Sequence, residues 1–392
     1  MTESMSPTAL PVGTVTTRLV HRPAQRATEW WHSAVVYVNA PPLLDQHATL
    51  ESATGKLESL RTASRLGVQA VRIGAPPLPT EAGADVIDAV HELLTRAHRT
   101  GLRVTMRIDP MDPRDEAAAR YWLARGADGL DLGPVSAESP VSHARYRELH
   151  ALLAEHARSN DPILSTRLTA DAHGRAGEML HEDWLHHLVG TELVHLDDAA
   201  LITESITASY RVRDALGTPG AWLVPDVVEA GSAQAVRSRA LVALALPGAV
   251  YLREGITIDL PAKTSPEPDP PRLEAVAAAG RAQPATAGST LKLIRAALRL
   301  RADHRLGTAP LAWVEEMAGP VAPSVVAFLS GEVLVVSNLG AEEVPLVPGR
   351  RVLLSSAPLR SRSGGVPMLP AGETSWQWLE PAPPLRDPRA RR

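Results

Sequence analysis

Charged side chains stand where short apolar runs end. Asp109 closes the run in RIDPMD, and Asp131 lies inside GADGLDLGPV. Arg167 follows PILST, Asp197 and Asp198 follow VHL, and Asp226 ends WLVPD. Carboxylates so placed are the groups that proton transfer and nucleophilic attack need. The segment HEDWLHHLVGTELVHLDDAA adds His181, His186, His187 and His195. It has no HExxH and no histidine pair at i,i+4 spacing, so a solvated helix face entering a strand is expected, not a metal site. Asp197 and Asp198 then end that strand, where they are in reach of a ligand. The chain has no cysteine, which removes disulfides, thiolate metal sites and a cysteine nucleophile. GxSxG, GxGxxG and GxxxxGK[ST] are all missing, so neither a serine-hydrolase elbow nor a Gly-rich phosphate cradle is expected, and no cofactor.

These residues need elements to hold them. SRLGVQAVRI, HRTGLRVTMRI and LARGADGLDL each stop a helix on glycine and enter a strand within a few residues. Val86, Val90, Leu93, Leu94 and Ala97 share one face of a helix that Gly101 ends. Strands are predicted near 34–39, 68–74, 102–109, 127–133, 162–168, 191–197, 220–226 and 248–252. Each is followed by a helical stretch, which predicts an α/β chain built as a (β/α)8 TIM barrel. A doubly wound open sheet is the competitor; the regular spacing favours closure. Beyond a helix near Ser289–His304, the runs VVAFL, EVLVVSN, EEVPLV, RRVLLSS and TSWQWLE predict a small C-terminal antiparallel β-sandwich. The expected division is a loose tail over 1–28, the barrel over 29–305, the sandwich over 306–381 and a disordered tail over 382–392. The Pro-rich stretch 261–272 reads as a stiff surface loop.

Of the 392 residues, 44% are hydrophobic and 21% charged, the balance of an ordinary globular chain. A net charge of -4 provides no footprint for nucleic acid. The most apolar run, ALVALALPGAVYL, is too short for a bilayer and contains Pro247. No leader pattern opens the chain. A cytoplasmic protein without a membrane or nucleic-acid partner is expected.

The motifs, in their order, resemble glycoside hydrolase family 13, the α-amylase and α-glucosidase family. EWWHSAVVYVNAP is similar to its first barrel strand, and GKLESLRTASRLGVQAVRIGAPPLP to its second strand unit. ARYWLARGADGLDLG is similar to its helix and fourth strand, and ALVALALPGAVYLREGITIDLP to its eighth strand and exit loop. The resemblance runs from about Trp30 to the end of the sandwich. It implies retaining chemistry by a nucleophile and an acid/base about 5–5.5 Å apart. A third carboxylate assists, and the three sit at the C-terminal ends of strands four, five and seven.

Carried over residue by residue, the resemblance implies a depleted site. The fourth-strand motif Gly-Phe-Arg-x-Asp reads Gly129-Leu130-Asp131-Leu132-Gly133, so Gly133 stands at the nucleophile position. Arg167 stands at the acid/base position, in a register that slippage of a residue or two would change. The seventh-strand Asn-His-Asp reads Val224-Pro225-Asp226, and only Asp226 survives. The third-strand Asp-x-x-x-Asn-His becomes Arg107, Met111 and Asp112. Asp112 leads almost directly into a helix, so the family's lid domain is absent. PPLPTEAGADV has no Tyr-Asp.

Asp131 faces the same way as Gly133, into the barrel, but one strand repeat (about 6–7 Å) deeper. That is too deep for a nucleophile. The family carries Asp and Arg at the inward positions of strands three and four; here they are Arg107 and Asp131, and the pair is expected to bond with signs exchanged. Arg167 is expected to pair with Asp226 across the mouth; its sharper reading is an anion or sugar-phosphate site. Asp109, Arg107, Asp131 and Asp197 are the expected substrate-contact positions. Trp30, Trp31, Trp122 and Trp222 are expected in the core and not against a sugar. The expected function is that of an α-amylase-like protein without hydrolysis, which binds an α-glucan, a small sugar or a protein partner. The alternative is an active α-glucosidase or α-glucan-modifying enzyme with relocated carboxylates.

Overall fold

Short runs rich in Val, Leu and Ile, separated by helices, build the centre of the chain. The computed structural model describes residues 15–23, 29–38, 60, 63–74, 76–136, 141–169, 174–195, 197–253, 255–259, 282, 288–317, 319–362 and 365–379. After β1 (Val15–His21) come eight parallel strands: β2 (Val35–Val38), β3 (Ala70–Gly74), β4 (Arg103–Arg107), β5 (Gly129–Val135), β6 (Ile163–Leu168), β7 (His187–Val189), β8 (Ala221–Leu223) and β9 (Ala249–Arg253). They are hydrogen-bonded in the order β7-β6-β5-β4-β3-β2-β9-β8. A parallel bridge between Gly190 and Trp222 closes the remaining seam. The result is the TIM barrel that the alternation predicts.

The helices are α1 (Ala84–Arg99), α2 (Pro113–Leu123), α3 (His143–Asn160), α4 (Ala176–Leu180), α5 (Glu192–His195), α6 (Ala199–Leu216), α7 (Val227–Ala230), α8 (Ala233–Ala245) and α9 (Thr290–Asp303). The predicted face of α1 is buried, and Gly101 leaves the helix at φ +77°, where a Cβ would be strained. Val36, Ala70, Val189, Ala221, Leu223, Ala249 and Tyr251 fill the barrel interior. No described helix is long and apolar enough to cross a membrane.

One strand differs from expectation. A strand was predicted at 191–197; β7 is His187–Val189, and Glu192–His195 is helical. The histidine misled because it is a core residue. Both His187 ring nitrogens have partners, the Tyr251 hydroxyl at 2.7 Å and the Trp31 carbonyl at 2.8 Å. A fully paired imidazole can replace an apolar side chain.

The C-terminal strands are β10 (Leu311–Met317), β11 (Val325–Ser330), β12 (Val333–Asn338), β13 (Val344–Pro345), β14 (Arg351–Ser355), β15 (Arg360–Ser361), β16 (Pro367–Leu369) and β17 (Thr374–Trp378). A six-stranded sheet, β1-β10-β11-β12-β17-β14, lies beside a three-stranded one, β13-β16-β15. Period two sorts its large sheet. Val326, Phe328, Val333, Val335 and Trp376 join the barrel's outer core, while Val325, Ala327, Leu334 and Val336 form a second core.

The expected loose tail over 1–28 needs correction, because Val15–His21 is an edge strand antiparallel to β10. Its Thr and Arg residues hid the pattern, and the tie is tertiary. The His21 ring stacks on Tyr210 at 4.5 Å, with Nδ1 2.7 Å from an Asp214 carboxylate oxygen. The expected loop at 261–272 and the tail at 382–392 lie outside the described residues.

Trp376 carries the sheet-to-barrel contact, since its ring is fully buried and its Nε1 donates to the Leu241 carbonyl on α8 at 3.2 Å. Trp376→Ala is expected to cost about 3–5 kcal/mol in urea unfolding. A loss below about 1 kcal/mol would mean that this ring does not anchor the sheet.

Candidate functional site

Toward the C-terminal ends of the strands the inward side chains become charged. Asp131, a middle-layer residue, is almost fully buried at 2% exposure. Arg72 Nη1 donates to it at 2.9 Å, the Ser165 hydroxyl at 3.0 Å and the Gly133 amide at 2.9 Å. Pairing from three sides lets a carboxylate remain in a barrel interior. The network continues sideways: Ser165 and His187 are register neighbours on β6 and β7, and His187 reaches Tyr251 on β9.

The expected Arg107–Asp131 pair is therefore secondary. Arg107 Nε is 3.9 Å from the carboxylate, beyond hydrogen-bond range, while Arg72 holds the short contact. Arg72 was missed by sequence reasoning. Its signal was parity, because it lies two residues after Ala70, which faces the interior. Burial pulls the Arg107 guanidinium below the ordinary arginine value, and the Asp131 charge opposes this.

Gly133 is not an ordinary strand position. The β5–β6 pairing passes from Asp131–Ser165 to Pro134–Arg167, which leaves one extra residue on β5. Gly133 takes up this bulge at φ +69°, a left-handed conformation that costs an L side chain about 1–2 kcal/mol. A Cβ there would overlap Cζ, Nε and Nη2 of Arg107. The Arg107 side chain thus occupies the space that a carboxylate on residue 133 would enter. The Gly133-Pro134 dipeptide was the legible sign of a bulge.

Asp226 is also engaged. It caps α7, accepting from the Val228 and Glu229 amides at 2.8 and 3.0 Å, and the Glu229 carboxylate accepts from the Asp226 amide at 3.1 Å. Arg253 Nη1 lies 3.2 Å from Asp226 and 2.6 Å from Glu229. This corrects the expected Arg167–Asp226 pair: the cation comes from the neighbouring strand end on β9. Arg253 and Glu229 were not singled out from sequence.

The remaining positions scatter. The Asp109 carboxylate accepts from the Met111 amide at 2.9 Å, a local turn at the end of β4. Asp197 is bonded to Arg239 of α8, with its side chain 86% exposed, and Asp198 caps α6. Neither ends a barrel strand, because β7 stops at Val189. Trp122 and Trp222 are core, as expected; Trp30 and Trp31 are half-buried in a short helical turn before β2. Among the described residues no cluster of His, Asp or Glu is arranged to hold a metal.

Two measurements follow from this geometry. Gly133→Asp should destabilise the fold, and Arg107→Gly should relieve its overlap. A double-mutant cycle is expected to show coupling of about 0.5–3 kcal/mol; additivity within about 0.3–0.5 kcal/mol would mean that Arg107 does not fill the site. Burial also lowers the His187 pKa from 6.5 to about 3. Below pH 6.5 the unfolded chain therefore takes up a proton that the folded one refuses. Stability should fall as pH drops from 6.5 toward 3, by up to about 1.4 kcal/mol per pH unit from this group. Urea unfolding across that window should show a shallower slope for His187→Gln, and an unchanged slope would refute the assignment.

No protein-family model matches the chain, and no curated protein matches its sequence. Solved structures do match. The α-amylase from H. orenii superposes with a TM-score of 0.64 at 13% identity, covering 89% of this chain and 100% of that one. The trehalulose synthase MutB from Pseudomonas mesoacidophila MX-45 gives 0.62 at 13% identity over 91% of this chain and 100% of its own. A Bacillus licheniformis trehalose-6-phosphate hydrolase mutant gives 0.61 at 11% identity over 90% and 100%. These neighbours are glycoside hydrolase family 13 enzymes. The chain has the barrel-and-sheet fold of α-amylase-family glycoside hydrolases.

Proposed function

We propose that this protein acts by binding and not by glycoside hydrolysis, using the α-amylase-type barrel mouth to hold a carbohydrate. The observation that carries the reading is the Arg107 guanidinium standing where a side chain on residue 133 would be. A retaining glycosidase needs a free carboxylate nucleophile and a nearby acid. Here Asp131 is held under Arg72, and Asp226 is held by Arg253 and the α7 amides. Residues that act as a catalytic unit leave little rate when members are lost. The absence of cysteine accords with action in a reducing cytoplasm.

Asp226 and Glu229 share one Arg253 nitrogen, and this favours one second reading, an active α-glucosidase that uses that carboxylate pair. Calorimetric titration with maltose and longer α-glucans, run beside a chromogenic α-glucoside assay, separates the two. Saturable heat without turnover is expected. Turnover that disappears in Asp226→Asn would overturn the binding reading. No heat and no turnover would also overturn the carbohydrate assignment and point to a protein partner.

A further inference from the structure

Four arginines reach the mouth from four strands. Arg72 and Arg253 are the register neighbours of Val38 on its two sides, Arg107 neighbours Gly74, and Arg167 neighbours Val189 on β6 and β7. Three carboxylates meet them. Arg72 holds Asp131, Arg253 holds Asp226 and Glu229, and Arg107 lies within 3.9 Å of Asp131. Asp109 and Asp115 act on Arg107 and are not among the main charges felt by Arg167.

Arg167 is the cation left over. Among the described residues, none accepts a hydrogen bond from its guanidinium or forms an ion pair with it. Arg72 Nε is likewise buried without a hydrogen-bond partner among the described residues. The two most buried arginines among the described residues, Arg213 and Arg301, are satisfied differently. Arg213 donates to the Pro219 carbonyl at 2.9 Å and also to that of Leu188 at 2.6 Å, and Arg301 to those of Leu244 and Leu246 at 2.7 and 2.8 Å. Burial, then the charges of Arg253 and Arg72, bring Arg167 down to about 10 against the weaker opposing pull of Asp131 and Glu229, so it stays protonated at neutral pH. A half-buried cation beside two others, with its donors unspent, is a site poised for an anion.

We propose that the barrel mouth binds a phosphate group, free or carried as a phosphomonoester on a sugar, with Arg167 as the principal ligand and Arg72 and Arg253 beside it. The proposal deepens the binding reading above and rests on it. Planar guanidinium forks match phosphate oxygens in pairs. A phosphomonoester carries about −1.5 to −2 charge at pH 7, which suits a converging group of cations better than a neutral sugar does.

The test is low-salt calorimetry of the full chain with inorganic phosphate, glucose 6-phosphate and glucose, on wild type, Arg167→Gln and Arg299→Gln. Arg299 is a surface control, 85% exposed on α9. The expected result is saturable phosphate binding that Arg167→Gln weakens by about ten- to a hundredfold and Arg299→Gln leaves unchanged. Equal affinity for phosphate and glucose 6-phosphate would assign the free anion; tighter glucose 6-phosphate binding would assign a sugar phosphate. Without ligand, Arg167→Gln should melt at or above the wild-type temperature, because it removes a partly buried cation that has no direct ion-pair partner among the described residues. No phosphate heat, or equal loss in both variants, would overturn the proposal. Chromogenic turnover on the same samples would overturn the non-hydrolytic reading instead, so the two failures are distinguishable.

Discussion

The mouth of this barrel is organised by the need to neutralise one buried carboxylate. Asp131 lies in the interior with almost no exposure, so it must be paired. Arg72, Ser165 and the Gly133 amide supply the pairing. Once Asp131 binds the amide two residues on, the chain at Gly133 is drawn into a left-handed bulge. The bulge leaves no room for a side chain, and Arg107 lies across the space. One electrostatic demand thereby accounts for the bulge, for the glycine and for the position of the second arginine.

Charges around this centre are satisfied by the nearest available partner and not by the partner a strand diagram suggests. Asp226 turns to its own helix amides and to Arg253, because α7 starts at that residue and offers donors at no cost in reach. Arg167, beside this group, then has no carboxylate within hydrogen-bond or ion-pair range among the described residues, although Asp131 and Glu229 act on it from farther away. Arg213 and Arg301, buried elsewhere, end on carbonyl oxygens, which shows that the fold can satisfy such groups locally.

The second sheet shares its inner face with the barrel's outer core. β11 and β12 are buried on both faces, one against barrel helices and one against the small sheet. Two-sided burial explains why VVAFL and VLVV are continuous apolar runs and not alternating ones. The β1 strand extends this sheet from the other end of the chain. It takes part through main-chain pairing with β10 and through His21, interactions that have no apolar signature.

Much was legible because local rules wrote it. Glycine stops, the apolar face of α1 and the spacing of strands follow from nearest-neighbour chemistry, so the barrel and the C-terminal sheets could be read along the chain. The inward parity of Asp131 and Gly133 was equally local. What tertiary structure alone decided was partnership. Arg72 lies 59 positions from Asp131, and no sequence pattern ranks it above Arg107, which is nearer in register. His187 reads as a polar surface residue until Tyr251 and Trp31 are brought to its two nitrogens. The N-terminal strand reads as a tail until β10 offers its edge. Residue type and period depend on neighbours along the chain, whereas charge pairing and edge pairing depend on distances that exist only after the barrel has closed.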